Sequence, residues 1–83
     1  MNHSSAVNKK NKSGITLLHV AAMKGHKKHA EVLIANGANL NARQKYGGMT
    51  PLDVANYEKK TKTANLLRKH GGKTGEELEA EGK

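Results

Sequence analysis

The chain has 83 residues, no cysteine and a formal net charge of +8 at pH 7. The lack of cysteine excludes a disulfide scaffold, a cysteine-based zinc site and a thiol nucleophile, and it fits a reducing compartment. A chain this short forms one domain at most, and because Phe and Trp are absent, its core must come from smaller apolar residues. We therefore expect a free energy of unfolding of about a few kcal/mol.

The hydropathy of the chain predicts no membrane segment. No apolar run approaches the roughly 20 residues that a membrane-spanning helix needs. The polar N-terminus also lacks the apolar stretch of a signal peptide. These features predict a cytoplasmic protein that does not associate with a membrane.

The charge is unevenly distributed along the chain. Of the 15 Lys and Arg residues, all but Lys83 precede Glu76, so that part carries +11 and the last eight residues carry −3. A basic body favours acidic partners or nucleic acid through long-range attraction. The alternative is a solvated lysine-rich surface that only maintains solubility.

The first half of the chain predicts a pair of helices. Residues 1–13 are polar and predict a loop or a frayed end. The first helix begins after Thr16, whose hydroxyl can cap it, and ends at Gly25. The second helix runs from about Lys28 to Asn36. The apolar residues predicted to share one face of the first helix are Leu17, Leu18, Ala21 and Ala22.

The second half predicts a similar pair and a short final helix. Residues 38–48 form an extended connector. The third helix begins after Thr50, with Pro51 in its first position, and ends near Glu58 or Lys59. The fourth runs from about Lys62 to Lys69. A capping-box pattern at residues 74–77 predicts a last helix that ends near residue 81.

The two halves are copies of one unit. Residues 14–38 recur at 48–72 with an offset of about 34, a period typical of solenoid proteins. A helix pair cannot bury its apolar face alone, so we expect the two units to stack. The predicted core comprises Leu18, Ala21, Ala30, Leu33, Leu52, Ala55 and Leu67.

The motifs in register resemble the ankyrin repeat. The first unit reads Gly14-Ile-Thr-Leu-Leu-His-Val-Ala-Ala22, then Gly25-His26, Leu33-Ile34 and Gly37-Ala38, and the second reads Gly48-Met-Thr-Pro-Leu-Asp-Val-Ala55. The resemblance covers about residues 6–72. It implies an all-α fold, an ankyrin-repeat solenoid of two helix-turn-helix units with short finger loops. The expected segments are a polar N-terminal segment with a finger remnant (1–13), repeat 1 (14–44), a cap-like repeat 2 (45–72) and an acidic tail (73–83).

Some positions depart from the ankyrin pattern. Leu17 replaces the usual Pro, Asp53 replaces the His, and Lys59-Lys60 stand where Gly-His is expected. Such departures in the second unit suit a terminal cap. Ala6-Val7-Asn8 aligns with Asn39-Leu40-Asn41 and resembles the end of a preceding repeat.

That remnant leaves two interpretations open. The chain is either a C-terminal piece of a longer array or a minimal protein. A minimal protein would leave the face of Leu18, Ala21 and Ala30 partly open, available for self-association or a partner.

Three motifs could carry chemistry, and each has a simpler structural interpretation. The ankyrin resemblance implies that His19 fixes a turn and ties neighbouring repeats, and no nucleophile accompanies it as a general base would require. His26 and His29 lack the further ligands of a zinc site. Gly72-Lys73-Thr74 lacks the upstream Gly and strand of a phosphate-binding loop. We therefore predict no enzyme activity, no cofactor and no metal.

The predicted function is non-catalytic protein binding. In ankyrin proteins the finger tips and the exposed face of the first helix form the binding groove. A protein partner, acidic in character, is favoured over nucleic acid, because aromatic stacking platforms are almost absent. Lysines near the helix–helix turns of both units (24, 27, 28, 59, 60 and 62) should form a stripe. The predicted partner-binding residues are Val20, Met23, Lys24, Arg43, Lys45, Tyr46, Tyr57 and Lys59.

Overall fold

The computed structural model describes residues 6–82, and within them the fold is all-helical. The five helices are α1 (Leu17–Lys24), α2 (Lys27–Ala35), α3 (Pro51–Tyr57), α4 (Thr61–Lys69) and α5 (Gly75–Glu81). Ala6 and Val7 are also helical. Predicted and observed helix ends agree to within a residue or two, and the predicted fold class is confirmed.

Three of the helices begin with the same hydrogen-bonded motif, a capping box. Thr16, Thr50 and Thr74 each precede a helix, and each hydroxyl accepts a backbone N–H from the third helical residue. The side chain of that third residue bonds back to the threonine N–H, so two unpaired donors are satisfied at once. At the other end of α1, Gly25 adopts a left-handed conformation with φ of 70°. These four boundaries are therefore set by residues next to them in the sequence, whereas α2 and α4 begin without a side-chain cap.

The helices form two rows. α1 packs against α3 and α2 packs against α4, while α1 pairs with α2 and α3 with α4. The first helices of both units therefore lie side by side, and the second helices lie behind them. This is the stacking that the sequence repeat predicts.

Every predicted core residue is buried. The face of Leu18, Ala21 and Ala30, however, is not open at the N-terminal end, because these side chains are at most 1% exposed. These residues lie in one core cluster with Leu52 of α3 and with Val7 of the N-terminal segment, so both sides of α1 contribute to covering them. Leu17 was also expected on the apolar face but is 49% exposed. Leu17 is the first residue of α1 and lines a cavity between this helix and residues 6–11.

Asparagine side chains tie successive segments together. Asn8 accepts a hydrogen bond from the N–H of Asn39 at 2.6 Å and donates one to the carbonyl of Gly37 at 3.0 Å. One unit later, Asn41 accepts a bond from the N–H of Lys73 at 2.8 Å. Residues 6–8 thus make the same kind of link to the first unit that residues 39–41 make to the C-terminal segment. Residues 1–5 of the predicted N-terminal segment lie outside the described residues.

The finger between the units is a closed turn. The N–H of Gln44 donates to the carbonyl of Met49 at 2.9 Å, and the N–H of Lys45 donates to the backbone carbonyl of Ser13 at 2.8 Å. Gly47 and Gly48 have φ of 79° and 63°, which residues with a side chain rarely adopt.

The glutamates of α5 pair with basic residues that precede this helix. Arg43 pairs with Glu79 at 3.0 Å, Arg68 pairs with Glu77 at 2.6 Å, and Lys73 pairs with Glu81. The bond from Arg68 and the N–H of Thr74 lower the pKa of Glu77. All three pairs are substantially exposed, so each adds little stability and is screened by salt.

Candidate interaction surface

Two adjoining cavities form an apolar groove beside α1. One, of about 420 Å³, lies between α1 and residues 6–11, and the other, of about 220 Å³, lies between α1 and the finger. They share Asn11, Ile15 and Val20. We call their combined lining the apolar groove: Ala6, Lys9, Lys10, Asn11, Ile15, Thr16, Leu17, His19, Val20, Met23, Gln44 and Val54.

Exposed apolar side chains line this groove. Leu17 is 49% exposed and Met23 is 43% exposed, although both are large and apolar. They lie on the same side of α1 as Val20, because residues three apart share a helix face. Among residues 6–82, the charged residues that line the groove are Lys9 and Lys10, and no carboxylate of this range lines it. The groove therefore offers apolar contacts beside positive charge.

His19 lies at the bottom of the groove as a structural residue. Its Nδ1 accepts the N–H of Thr16 at 3.1 Å, and its Nε2 lies 2.9 Å from the carbonyl of Met49. A carbonyl can only accept, so Nε2 carries the proton and donates it. Burial lowers the pKa of His19, which favours this neutral form. The predicted tie between neighbouring repeats is therefore present.

Asp53 performs the equivalent task in the second unit. Its Oδ2 accepts the N–H of Thr50 at 3.0 Å and the N–H of Gly75 at 2.9 Å. The Thr50 hydroxyl donates to the carbonyl of Lys73 at 2.6 Å. Asp53, like His19, thus joins its own helix cap to the following segment. The side chain at position 53 must accept a hydrogen bond, because it faces the backbone N–H of Gly75, whereas His19 faces a carbonyl.

A separate polar cavity of about 440 Å³ lies at the C-terminal end of the molecule. Arg43 and Tyr57 line it together with the carboxylates of Asp53, Glu76 and Glu79. The Arg43 Nε donates to the carbonyl of Gly48 at 2.8 Å, and its Nη2 donates to Glu79 at 3.0 Å. Arg43 was predicted to bind a partner, and the structure places its guanidinium in these internal bonds.

The finger tip carries two predicted residues. Tyr46 is 67% exposed, and the Nζ of Lys45 lies 5.6 Å from the centre of its ring. This distance is within the range of a cation–π contact. The tip is therefore an exposed pair of adjacent side chains.

Lys24 and Lys59 lie elsewhere: Lys24 is the last residue of α1, and Lys59 lies in the turn after α3. Both are exposed, and neither lines the apolar groove or the polar cavity. The finger bonds to Ser13, just before α1, whereas Lys24 is at the opposite end of this eight-residue helix, about 12 Å along its axis. The eight predicted residues therefore belong to separate surfaces.

The structure brings together Val20 and Met23 in the groove, Arg43 and Tyr57 in the polar cavity, and Lys45 and Tyr46 at the finger tip. Sequence reasoning missed Asn11, Ile15, Gln44 and Val54 as groove residues. They come from three segments far apart in the chain, and no local pattern joins them. The exposure of Leu17 had no such signal either, because the equivalent residue of the second unit, Pro51, is fully buried.

The two histidines considered as zinc ligands, His26 and His29, lie at the start of α2. Both side chains are exposed. Among residues 6–82, no group of three or more His, Cys, Asp or Glu side chains could hold a metal ion. Over the same range, no helix has the length and apolar character needed to cross a bilayer.

Comparison with known proteins supports the repeat interpretation. A family model described as ankyrin repeats (3 copies) matches residues 1–77. A search of curated proteins found no match. Because the family model covers nearly the whole chain, the chain belongs to the ankyrin repeat family.

Proposed function

We propose that this chain is a non-catalytic module that binds an acidic, partly apolar segment of a partner protein in the apolar groove. Ankyrin repeats are generally protein–protein interaction modules, and that general role applies to this chain. The proposal concerns the surface and the partner. The units that build the surface would be residues 14–44 and 45–72.

The observation that most directly supports this proposal is the exposure of Leu17 and Met23 in a groove next to Lys9 and Lys10. Apolar side chains buried at the centre of an interface supply most of its binding energy. Charges at the rim contribute mainly to specificity and to the rate of association. A segment with one or two apolar anchors and flanking carboxylates matches both features.

The charges of the polar cavity and of the groove favour one position for the acidic segment of the partner along the surface. Its carboxylates repel an acidic segment, whereas Lys9 and Lys10 at the other end attract one. For Arg43 to take part, it must exchange Glu79 for a carboxylate of the partner. Tyr46, Lys45 and Tyr57 would then contact the part of the partner that leaves the groove.

The test compares partner capture by the parent chain and by two variants of the full chain. Leu17→Ser/Met23→Ser removes the two exposed groove anchors, and Val32→Ser removes an equally exposed apolar residue of α2 that does not line the groove. All three forms should remain folded because each position is exposed. Crosslinked partners are identified by mass spectrometry, and their acidic segments are then measured as synthetic peptides by calorimetry.

The proposal predicts a partner that the Val32→Ser form retains and the Leu17→Ser/Met23→Ser form loses. The matching peptide should bind more weakly in 0.5 M salt, where the charges on Lys9 and Lys10 are screened. Equal capture by both variants would exclude the groove as the binding surface.

A further inference from the structure

A set of six lysines occupies one edge of the molecule, away from the groove. We define the lysine edge as residues 24–28, from the last residue of α1 to the first turn of α2, and residues 58–62, from the turn after α3 to the first turn of α4. Its lysines are Lys24, Lys27, Lys28, Lys59, Lys60 and Lys62. Five are exposed, and Lys60 is partly buried.

The fold places the two turns next to each other. α1 packs on α3 and α2 packs on α4, so the ends of these helices meet at the same edge. The contact between Gly25 and Lys60 confirms this directly. A Cβ atom added to Gly25 would lie 2.8 Å from Cδ of Lys60, so the Lys60 stem lies over the first turn. The charges of both units therefore form one continuous surface.

The ion pairs found within residues 6–82 involve none of the lysines of this edge. They use Arg43, Arg68 and Lys73, and each pairs with a glutamate of α5. The acidic tail thus neutralises basic residues elsewhere in the fold. Within the edge itself, Glu58 is the one acidic residue against six lysines.

The composition of the edge distinguishes between kinds of partner. Apart from the imidazole of His26, residues 24–28 and 58–62 include no apolar or aromatic side chain. Protein interfaces depend on aromatic and apolar anchors and are depleted in lysine. Single-stranded nucleic acid binds largely by stacking on a series of aromatic rings, and the edge offers only the single imidazole of His26. A duplex needs neither, because its backbone carries one negative charge per ~1.7 Å of helix axis.

We propose that the lysine edge binds the phosphate backbone of duplex nucleic acid without reading its sequence. Lysine acts as a point charge toward phosphate and needs no fixed geometry. The edge shares no residue with the lining of the apolar groove, so this inference is independent of the proposed function. Both surfaces could be occupied at once, which would hold a protein partner next to a nucleic acid.

The test measures the binding of a fluorescent 20-base-pair DNA duplex of mixed sequence by anisotropy, over a series of salt concentrations. Six phosphate contacts predict that log K falls with log salt with a slope of about −5. The Lys59→Gln/Lys60→Gln/Lys62→Gln form should lower the slope to about half. It should weaken binding roughly 100-fold or more at 0.1 M salt. Changing Lys24, Lys27 and Lys28 to Gln should have the same effect.

The matched control is Lys12→Gln/Lys69→Gln/Lys73→Gln, which removes the same charge from positions outside both the lysine edge and the apolar groove. It should change the affinity by less than about threefold, and circular dichroism should show that every form is folded. An equal loss in the control would mean that net charge alone causes binding, and the proposal would be wrong. Binding of polyglutamate but not of the duplex would also overturn it, because the edge would then be a surface for acidic proteins.

Discussion

Leu33 offers the most direct test of the stacked core. It lies in α2, is 6% exposed and belongs to the same cluster as Ala30 and Leu67. Leu33→Ala removes three carbon atoms, which at about 0.8 kcal/mol per methylene costs ~2.4 kcal/mol in transfer free energy. The cavity that remains adds to this, for a total of about 3 kcal/mol within the usual range of about 2–5.

That loss is large compared with the stability of so small a domain. In a domain of this size, each kcal/mol shifts the melting temperature by roughly 4–8 °C, so Leu33→Ala should lower it by about 12–24 °C. The urea midpoint should fall by about 3 M if the slope is near 1 kcal/mol/M. A parent protein with only a few kcal/mol of stability would then be partly unfolded at 25 °C.

The measurement is circular dichroism at 222 nm during thermal and urea unfolding. The control is Val32→Ala, the neighbouring residue of the same helix, which is 57% exposed and should change stability by less than about 0.5 kcal/mol. Leu33→Ala that melts within a few degrees of Val32→Ala would show that α2 does not face the core.

Three further predictions concern caps and charges. Thr50→Ala removes a buried cap and the bond to the C-terminal segment, so it should cost about 1–2 kcal/mol by urea unfolding, whereas exposed Thr61→Ala should cost little. The pKa of His19 is lower in the folded state, so the unfolded state takes up the proton first. The unfolding free energy should fall as the pH drops through about 6.5, and the fall should be smaller in His19→Gln. The pKa of Glu77 is also lowered, so its contribution is present above its ordinary pKa and is lost as the pH falls below it. Amide exchange in α5 should therefore quicken in acid and in Arg68→Gln at neutral pH, and unchanged exchange would contradict the role of this pair.

The helices could be predicted because their signals are local. Each capping threonine lies three residues from its partner, and Gly25 ends α1 within the same short segment. The repeat offset then indicated which faces must pack together, and the predicted core is buried. Membership of the ankyrin family followed from motifs in the same register.

The interaction surfaces could not be predicted in this way, because they join residues far apart in the chain. The apolar groove needs Asn11 next to Gln44 and Val54, and Arg43 finds its carboxylate 36 residues away in α5. Leu17 and Leu18 are neighbours of equal hydrophobicity, yet one is exposed and the other buried. Sequence spacing determines which residues share a helix face, but only the packing of α1 on α3 decides which face is covered, because burial depends on the neighbouring helix.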